Sequence, residues 1–288
     1  MSRVDVAIIG SGPAGVSAAI TLKIRGKNIL LIGSKELSPK MSKAAKIQNY
    51  PGFPDITGAD LVSRFKEHIA SLNIEVTEDK ITSVYAMGDY FTLQGASSTM
   101  YEANSVILAT GVTAAKPYPG EEEFLGRGVS YCATCDAPLC KGKTVAVIGS
   151  SHDEEAEGRF LTEVADKVYY IPTYKDEVEN AGSMEVIKDA PVSISRDDNK
   201  VKLNLKESSL DVDSVFILRE SVLASQLVPG LLMDGNTIKV SRDMSTNIPG
   251  LFACGDIVGF PYQYIKSAGE GNIAALSVVK YLGGKQNG

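Results

Sequence analysis

Tryptophan is absent from the 288 residues, and histidine occurs only twice, as His68 and His152. Neither histidine stands in an H-x-x-H or C-x-x-H pattern, so metal sites built on histidine pairs are excluded. Cysteine is also scarce, with Cys132, Cys135, Cys140 and Cys254 and no second closely spaced pair. That is too little for a disulfide framework. A zinc site would need such a second pair, and no metal is expected. No apolar run approaches the ~18 residues of a membrane helix. The N-terminus, Met1-Ser2-Arg3-Val4-Asp5, enters an apolar strand directly, without a secretion signal. A basic excess is lacking too: the formal net charge is −6, which favours neither nucleic acid nor an anionic membrane. These absences leave a cytoplasmic protein, in whose reducing surroundings a Cys-x-x-Cys pair is redox-active or metal-binding rather than structural.

Hydrophobic residues make up 44% of the chain and charged residues 22%, as in globular proteins with real cores. Short β runs alternate with helical stretches, which indicates an α/β fold with parallel sheets. Strands are expected at Val4–Ile9 and Ile29–Ile32, with helices at Ala14–Ile24 and Gly58–Ser71. Runs at Ile81–Tyr85, Tyr90–Leu93 and Ser105–Leu108 suggest a small antiparallel insertion returning to the main sheet. Thr144-Val145-Ala146-Val147-Ile148-Gly149 then echoes Val4–Gly10, and a strand follows at Lys167–Ile171, so a second β-α-β unit begins. Two Rossmann-like, three-layer domains result. The first is discontinuous, residues 1–116 and 245–288, and a shortened second domain is inserted at 117–244.

Gly10-Ser11-Gly12-Pro13-Ala14-Gly15 is G-x-G-x-x-G between a strand and a helix, where a dinucleotide pyrophosphate needs it. The first glycine turns the chain, the second admits the phosphate to the backbone, and the third lets helix and strand pack closely. Glu36, just beyond the second strand, is the candidate acid for the ribose. Cys132 and Cys135 can close a small disulfide and reopen it by thiolate exchange. Asp136 adjoins them and can carry a proton. Cys140 and Cys254 read as small buried hydrophobes.

The opening motif, Asn49-Tyr50-Pro51-Gly52-Phe53, Ala109-Thr110-Gly111, Cys132-Ala133-Thr134-Cys135-Asp136 and Gly255-Asp256 occur in this order along nearly the whole chain. In this the sequence resembles the low-molecular-weight thioredoxin reductases. The resemblance implies that FAD lies on the first domain. Asp256 would contact its ribityl–pyrophosphate side and Gln263 the isoalloxazine edge, with Asn49, Thr110, Gly111, Gly255, Tyr264 and Ile265 completing the site. It also implies that Cys135 lies nearer the flavin, that Cys132 attacks the disulfide of thioredoxin, and that the protein is a homodimer. Where many relatives carry Arg-Gln-Ala, this chain has Tyr262-Gln263-Tyr264, whose rings could cover the flavin.

The second domain departs from the family's nicotinamide-binding pattern. Gly149-Ser150-Ser151-His152-Asp153-Glu154 lacks the second glycine, and Asp153, Glu154 and Glu155 crowd the first turn of the helix, opposing an anion there. Pro172-Thr173-Tyr174 stands where NADPH-using relatives carry His-Arg-Arg. Arg219-Glu220-Ser221 replaces a family Gly-x-x-Pro. Residues 150–190 hold eleven acidic and four basic side chains, a field wrong for a polyanion. Electrons are therefore expected from reduced ferredoxin, as in the ferredoxin-dependent flavin thioredoxin reductases of anaerobic bacteria. Seven basic residues against Glu36 alone, from Lys23 to Lys46, would steer an acidic ferredoxin to the FAD domain. The alternatives are an NADPH-dependent enzyme with a divergent site, a disulfide oxidoreductase holding a second flavin, and a flavin-bound redox sensor without turnover.

Overall fold

A computed structural model of the protein describes residues 3–111, 117–121, 123–131, 133–197, 200–219 and 224–286. The chain divides into two compact units, Met1–Thr113 with Leu223–Gly288, and Ala114–Val222.

The first unit opens with strand β1 (Val4–Ile9), helix α1 (Pro13–Ile24) and strand β2 (Ile29–Ile32). A four-residue turn of helix, α2 (Pro39–Ser42), precedes α3 (Gly58–Ser71), whose N-cap Thr57 accepts a hydrogen bond from the Asp60 N–H at 3.1 Å. Strands β3 (Val76–Thr77), β4 (Ile81–Ala86), β5 (Phe91–Gly95) and β6 (Met100–Leu108) follow. The strand order is β3-β2-β1-β6-β5-β4. The expected insertion thus extends the main sheet. β6 pairs antiparallel with β5 through Met100–Ala103 and parallel with β1 from Ala103 to Leu108. Val6 and Ile8, two residues apart and so on one face, join Ala18, Ala19 and Leu22 of α1 in a buried core.

The second unit begins with β7 (Val129–Ser130) and the helical turn α4 (Ala133–Asp136). It continues through β8 (Thr144–Gly149), α5 (Asp153–Leu161), β9 (Lys167–Pro172) and β10 (Glu185–Val186). A meander, β11 (Pro191–Asp197), β12 (Lys200–Leu205) and β13 (Ser209–Val212), leads to β14 (Ser214–Leu218). The parallel sheet has the order β10-β9-β8-β14-β7. β8 shows why three layers form. Ala146 and Ile148 pack toward Ile194, Val201 and Leu203 of the meander, whereas Val145 and Val147 pack toward Ala133, Ala137 and Leu161.

The chain re-enters the first unit through α6 (Ala224–Leu227), the hairpin β15 (Met233–Asp234) and β16 (Thr237–Ile238), β17 (Leu251–Ala253) and α7 (Tyr264–Gln286). The return was expected at residue 245 and falls earlier, because α6 packs on β4 and β16 packs on the turn Gly255–Val258. β17 pairs parallel with the far half of β6, and α7 lies along α1. No helix among the described residues is long and apolar enough to cross a membrane.

Candidate functional site

The turn between β1 and α1 is built as a cradle. Gly10 has φ +112°, and a side chain there would run into the Ala109 carbonyl. A Cβ on Gly15 would collide with the Gly10 carbonyl oxygen, so the third glycine sets how closely helix and strand approach. Gly12 differs: a Cβ there would meet no heavy atom within 4 Å. Gly12 is also the N-cap of α1, with Pro13 at the first turn and no side chain capping it, so the N–H groups of the helix start stay available. Ser11 is buried and its Oγ donates to the carbonyls of Ser34 (2.8 Å) and Leu37 (3.1 Å), tying the turn to the segment after β2. Ala14 is buried in the core below.

Two further segments meet this turn. Thr110, at the end of β6, carries the only buried side-chain polar atom among the described residues that lacks a hydrogen-bond partner, its Oγ1. Gly111 follows with φ +76° and open space at its Cβ position. At the end of β17, Gly255 backs on to the Ala14 side chain. Its N–H donates to Glu270 Oε2 at 2.9 Å, and its carbonyl accepts from Lys266 Nζ at 2.9 Å. Asp256 Oδ1 accepts from Ser267 Oγ at 2.9 Å. The opening of α7 thus fixes Gly255 and Asp256, and Lys266, Ser267 and Glu270 are residues the sequence reading missed. Their spacings of one, three and four along a helix were a signal for it. Asn49 Nδ2 donates to Gln263 Oε1, which joins the Pro/Gly loop to the start of α7. An open helix start, an orphaned hydroxyl and glycines at the approach suit an anionic dinucleotide.

Glu36 is exposed and paired with Lys66 Nζ at 2.6 Å, facing α3. Tyr264 packs against the core, while Tyr262 is exposed and meets Phe260 edge-on with centroids 6.1 Å apart. Ile265 is part-exposed.

Cys132 lies outside the described residues. Cys135 and Asp136 end the turn α4, which is anchored by buried Ala133 and, just beyond it, buried Ala137, and which packs on α5. Leu139, close behind, is 67% exposed. Cys140 and Cys254 are buried free thiols, and burial pushes both well up, away from the thiolate.

The corresponding turn of the second unit is filled from within. Glu154 is buried, and its carboxylate folds back on the loop, accepting from the Ser151 N–H at 2.6 Å and the Ser151 Oγ at 2.7 Å. Glu155, also buried, accepts from the Tyr174 hydroxyl (2.6 Å), His152 Nδ1 (2.8 Å) and the N–H groups of Glu179 and Asn180. Burial raises its pKa, but these hydrogen bonds outweigh burial and bring it down to about 2. Tyr170 is fully buried, and a Cβ on Gly149 would collide with its hydroxyl.

The basic run from Lys23 to Lys46 is divided by β2. Lys23 in the last turn of α1, with Arg25 and Lys27 just after it, stands roughly 18 Å along the helix from the glycine turn. Lys35 and Lys46, which come after β2, pair with Glu78 (3.5 Å) and Asp55 (3.1 Å). Strand β2 lies between the two groups, with Lys23, Arg25 and Lys27 before its first residue and Lys35 to Lys46 after its last.

Residues 4–152 match the family of pyridine nucleotide-disulphide oxidoreductases. A thioredoxin reductase of Aquifex aeolicus is 32% identical over 98% of this chain and 94% of its own length. A ferredoxin-flavin thioredoxin reductase of Clostridium acetobutylicum has a similar structure, with a TM-score of 0.90 and 52% identity over the full length of both chains. A thioredoxin reductase structure from Gloeobacter violaceus aligns with a TM-score of 0.79 and 26% identity over 98% of this chain and 95% of that one. With the glycine cradle and the Cys132-x-x-Cys135 sequence motif, these likenesses identify the chain as a member of the pyridine nucleotide-disulphide oxidoreductases, of the thioredoxin reductase kind.

Proposed function

We propose that this flavoenzyme reduces thioredoxin through a Cys132–Cys135 disulfide, with reduced ferredoxin and not NADPH as its source of electrons. The observation that carries the choice of donor is the Glu154 carboxylate, hydrogen-bonded where a nicotinamide dinucleotide would need a free Ser151 N–H. The 52% identity to a protein described as a ferredoxin-flavin thioredoxin reductase supports the same reading.

FAD would be held by the Gly10–Gly15 turn at its pyrophosphate, by Thr110 and Gly111, and by Gly255 and Asp256, with Asn49, Gln263, Tyr264 and Ile265 toward the ring. Bound there, it supplies a carrier that takes electrons singly from an iron–sulfur donor and passes them on in pairs. The exposed pairing of Glu36 with Lys66 argues against an anchoring role for Glu36 in the resting chain. The disulfide takes up two electrons and two protons, one of them through Asp136, and opens to two thiols. The Cys132 thiolate then attacks the disulfide of thioredoxin, forming a mixed disulfide and releasing one partner thiolate. Cys135 attacks that bond, so the internal disulfide re-forms and thioredoxin leaves as a dithiol.

A cytoplasmic homodimer completes the proposal. Ile24, Ile273 and Leu276 are exposed on α1 and α7, which are joined there by the Asn272–Thr21 hydrogen bond of 2.9 Å, and a second copy would cover them. Visible absorbance of the anaerobic protein tests the donor. An oxidised flavin spectrum that persists with excess NADPH and bleaches with reduced ferredoxin is the expected result; prompt bleaching by NADPH would refute the proposal.

A further inference from the structure

We infer that Glu154 is an internal stand-in for a dinucleotide phosphate and a specificity-determining residue that closes the phosphate subsite of the second unit to nicotinamide cofactors. The inference rests on the reading that NADPH is not the donor, and deepens it from loss of a signature to occupation of a site.

A Rossmann turn holds pyrophosphate with backbone N–H groups at the start of its helix, helped by the positive end of the helix dipole. In the second unit that helix is α5, which follows β8 and runs from Asp153 to Leu161. Its N-cap, His152, makes no capping hydrogen bond from its side chain, so the loop amides need another acceptor. Glu154 supplies it. One carboxylate oxygen takes both the Ser151 N–H and the Ser151 Oγ, and the other accepts from the Ser150 Oγ at 3.4 Å. An anion with three donors around it, buried at a helix start, reproduces the contacts of a bound phosphate oxygen. An arriving phosphate would find its donor taken and a like charge in its place.

The surroundings hold the carboxylate there. Gly149, the first residue of the turn, lies under the Tyr170 hydroxyl, which also approaches the Ser151 carbonyl at 3.5 Å. Glu155, the next residue on α5, ties Tyr174 from beyond the end of β9 to the helix. This is the strand end where a dinucleotide's ribose would extend. Both subsites of the crossover are therefore closed by carboxylates of one helical turn. Sequence alone indicates only repulsion between these acids and an anion. The hydrogen bonds indicate that one acid has taken the anion's position.

Removing the carboxylate should uncover an anion site that the wild-type chain lacks. Inorganic pyrophosphate, titrated calorimetrically into the FAD-loaded protein at low ionic strength, is the probe. Glu154→Ala is expected to bind it roughly tenfold more tightly than wild type, the effect of about one such charge at a helix N-terminus. Glu154→Gln keeps an oxygen that can accept from the Ser151 N–H and is expected to stay closed. A Glu154→Ala protein that retains thioredoxin reduction but gains no pyrophosphate binding overturns the inference, as does an equal gain in Glu154→Gln. Should the alanine variant not fold, amide exchange in the wild-type protein decides. The Ser151 N–H is expected to be protected without any ligand, and exchange at the rate of an open loop overturns the proposal. Pyrophosphate carries no electrons, so these results report on Glu154 separately from the donor, which the NADPH bleaching experiment tests alone.

Discussion

Arg219 grips Glu121 with both terminal guanidinium nitrogens, at 2.6 and 2.7 Å, across 98 residues of chain. Both side chains are buried. Glu121 also accepts from the Tyr118 N–H at 2.7 Å and from the side chain of Tyr131, the residue before Cys132. Arg219 therefore has a structural partner at the position where the sequence departs from the family's Gly-x-x-Pro. Replacing Arg219 by Met leaves Glu121 charged and buried, and should lower unfolding stability by about 3–5 kcal/mol. Replacing Glu121 by Leu as well should recover part of that loss, because no buried charge is then stranded. Urea unfolding of the single and double variants measures both.

The two glycines of the first turn should separate folding from cofactor binding. Gly15→Ala puts a methyl into the Gly10 carbonyl oxygen and should give little folded protein. Gly12→Ala has room without ligand and should fold, yet bind FAD at least about tenfold more weakly, since its methyl fills the pyrophosphate's approach. Circular dichroism against flavin content of the purified variants distinguishes the two. A Gly12→Ala protein with full flavin occupancy would remove the assignment of this turn.

Acid should act on the corner formed by His152, Glu155 and Tyr174. The pKa of Glu155 is about 2 in the fold, below its ordinary 4.5, so its contribution is complete above about 4.5 and fades as pH falls toward 2. Hydrogen bonding to Glu155 raises His152 above its ordinary 6.5, so its contribution is complete below 6.5 and fades as pH rises through the raised value. The pair contributes most between these limits. Tyr174→Phe removes one charged hydrogen bond and should cost about 1.5–3 kcal/mol at pH 5.5. The variant should also lose less than wild type between pH 5.5 and pH 3, which denaturation at the two pH values would reveal.

Leu139 lies four residues beyond Cys135 and is 67% exposed. An apolar side chain in that position is a natural contact for the protein whose disulfide is attacked. Leu139→Asp should raise the KM for thioredoxin about tenfold, one buried apolar anchor's worth. The rate at which the proposed donor, reduced ferredoxin, bleaches the flavin should not change. Steady-state assays over a range of thioredoxin concentrations, together with stopped-flow bleaching, separate the two effects.

Local pattern carried much of the fold. The apolar run Val4–Ile9, its echo at Thr144–Gly149 and the helix Gly58–Ser71 stand where periodicity and turn residues put them. What stayed hidden depends on direction or on distance along the chain. Glu154 and Glu155 are adjacent, but one turns back to Ser151 and the other reaches Tyr174, which the letters do not specify. Arg219 and Glu121 share no local pattern, so their pairing could not be read. Lys23 and Lys35 look like one cluster until the strand β2 between them is taken into account. The early return to the first unit rests on packing of the short elements α6 and β16, whose sequences lack strong periodicity.

The closure of the second unit is distributed over three couplings: Glu154 on Ser151, Glu155 on Tyr174, and Tyr170 over Gly149. Undoing any one leaves the others in place, so removing Glu154 would free the phosphate subsite without undoing the contacts of Glu155 and Tyr170. For a lineage carrying it, the proposed change of electron source would behave as a ratchet. With the donor proposed above, its thioredoxin pool would be tied to whatever keeps an iron–sulfur protein reduced, and a shift in the supply of NADPH would offer no selectable first step back.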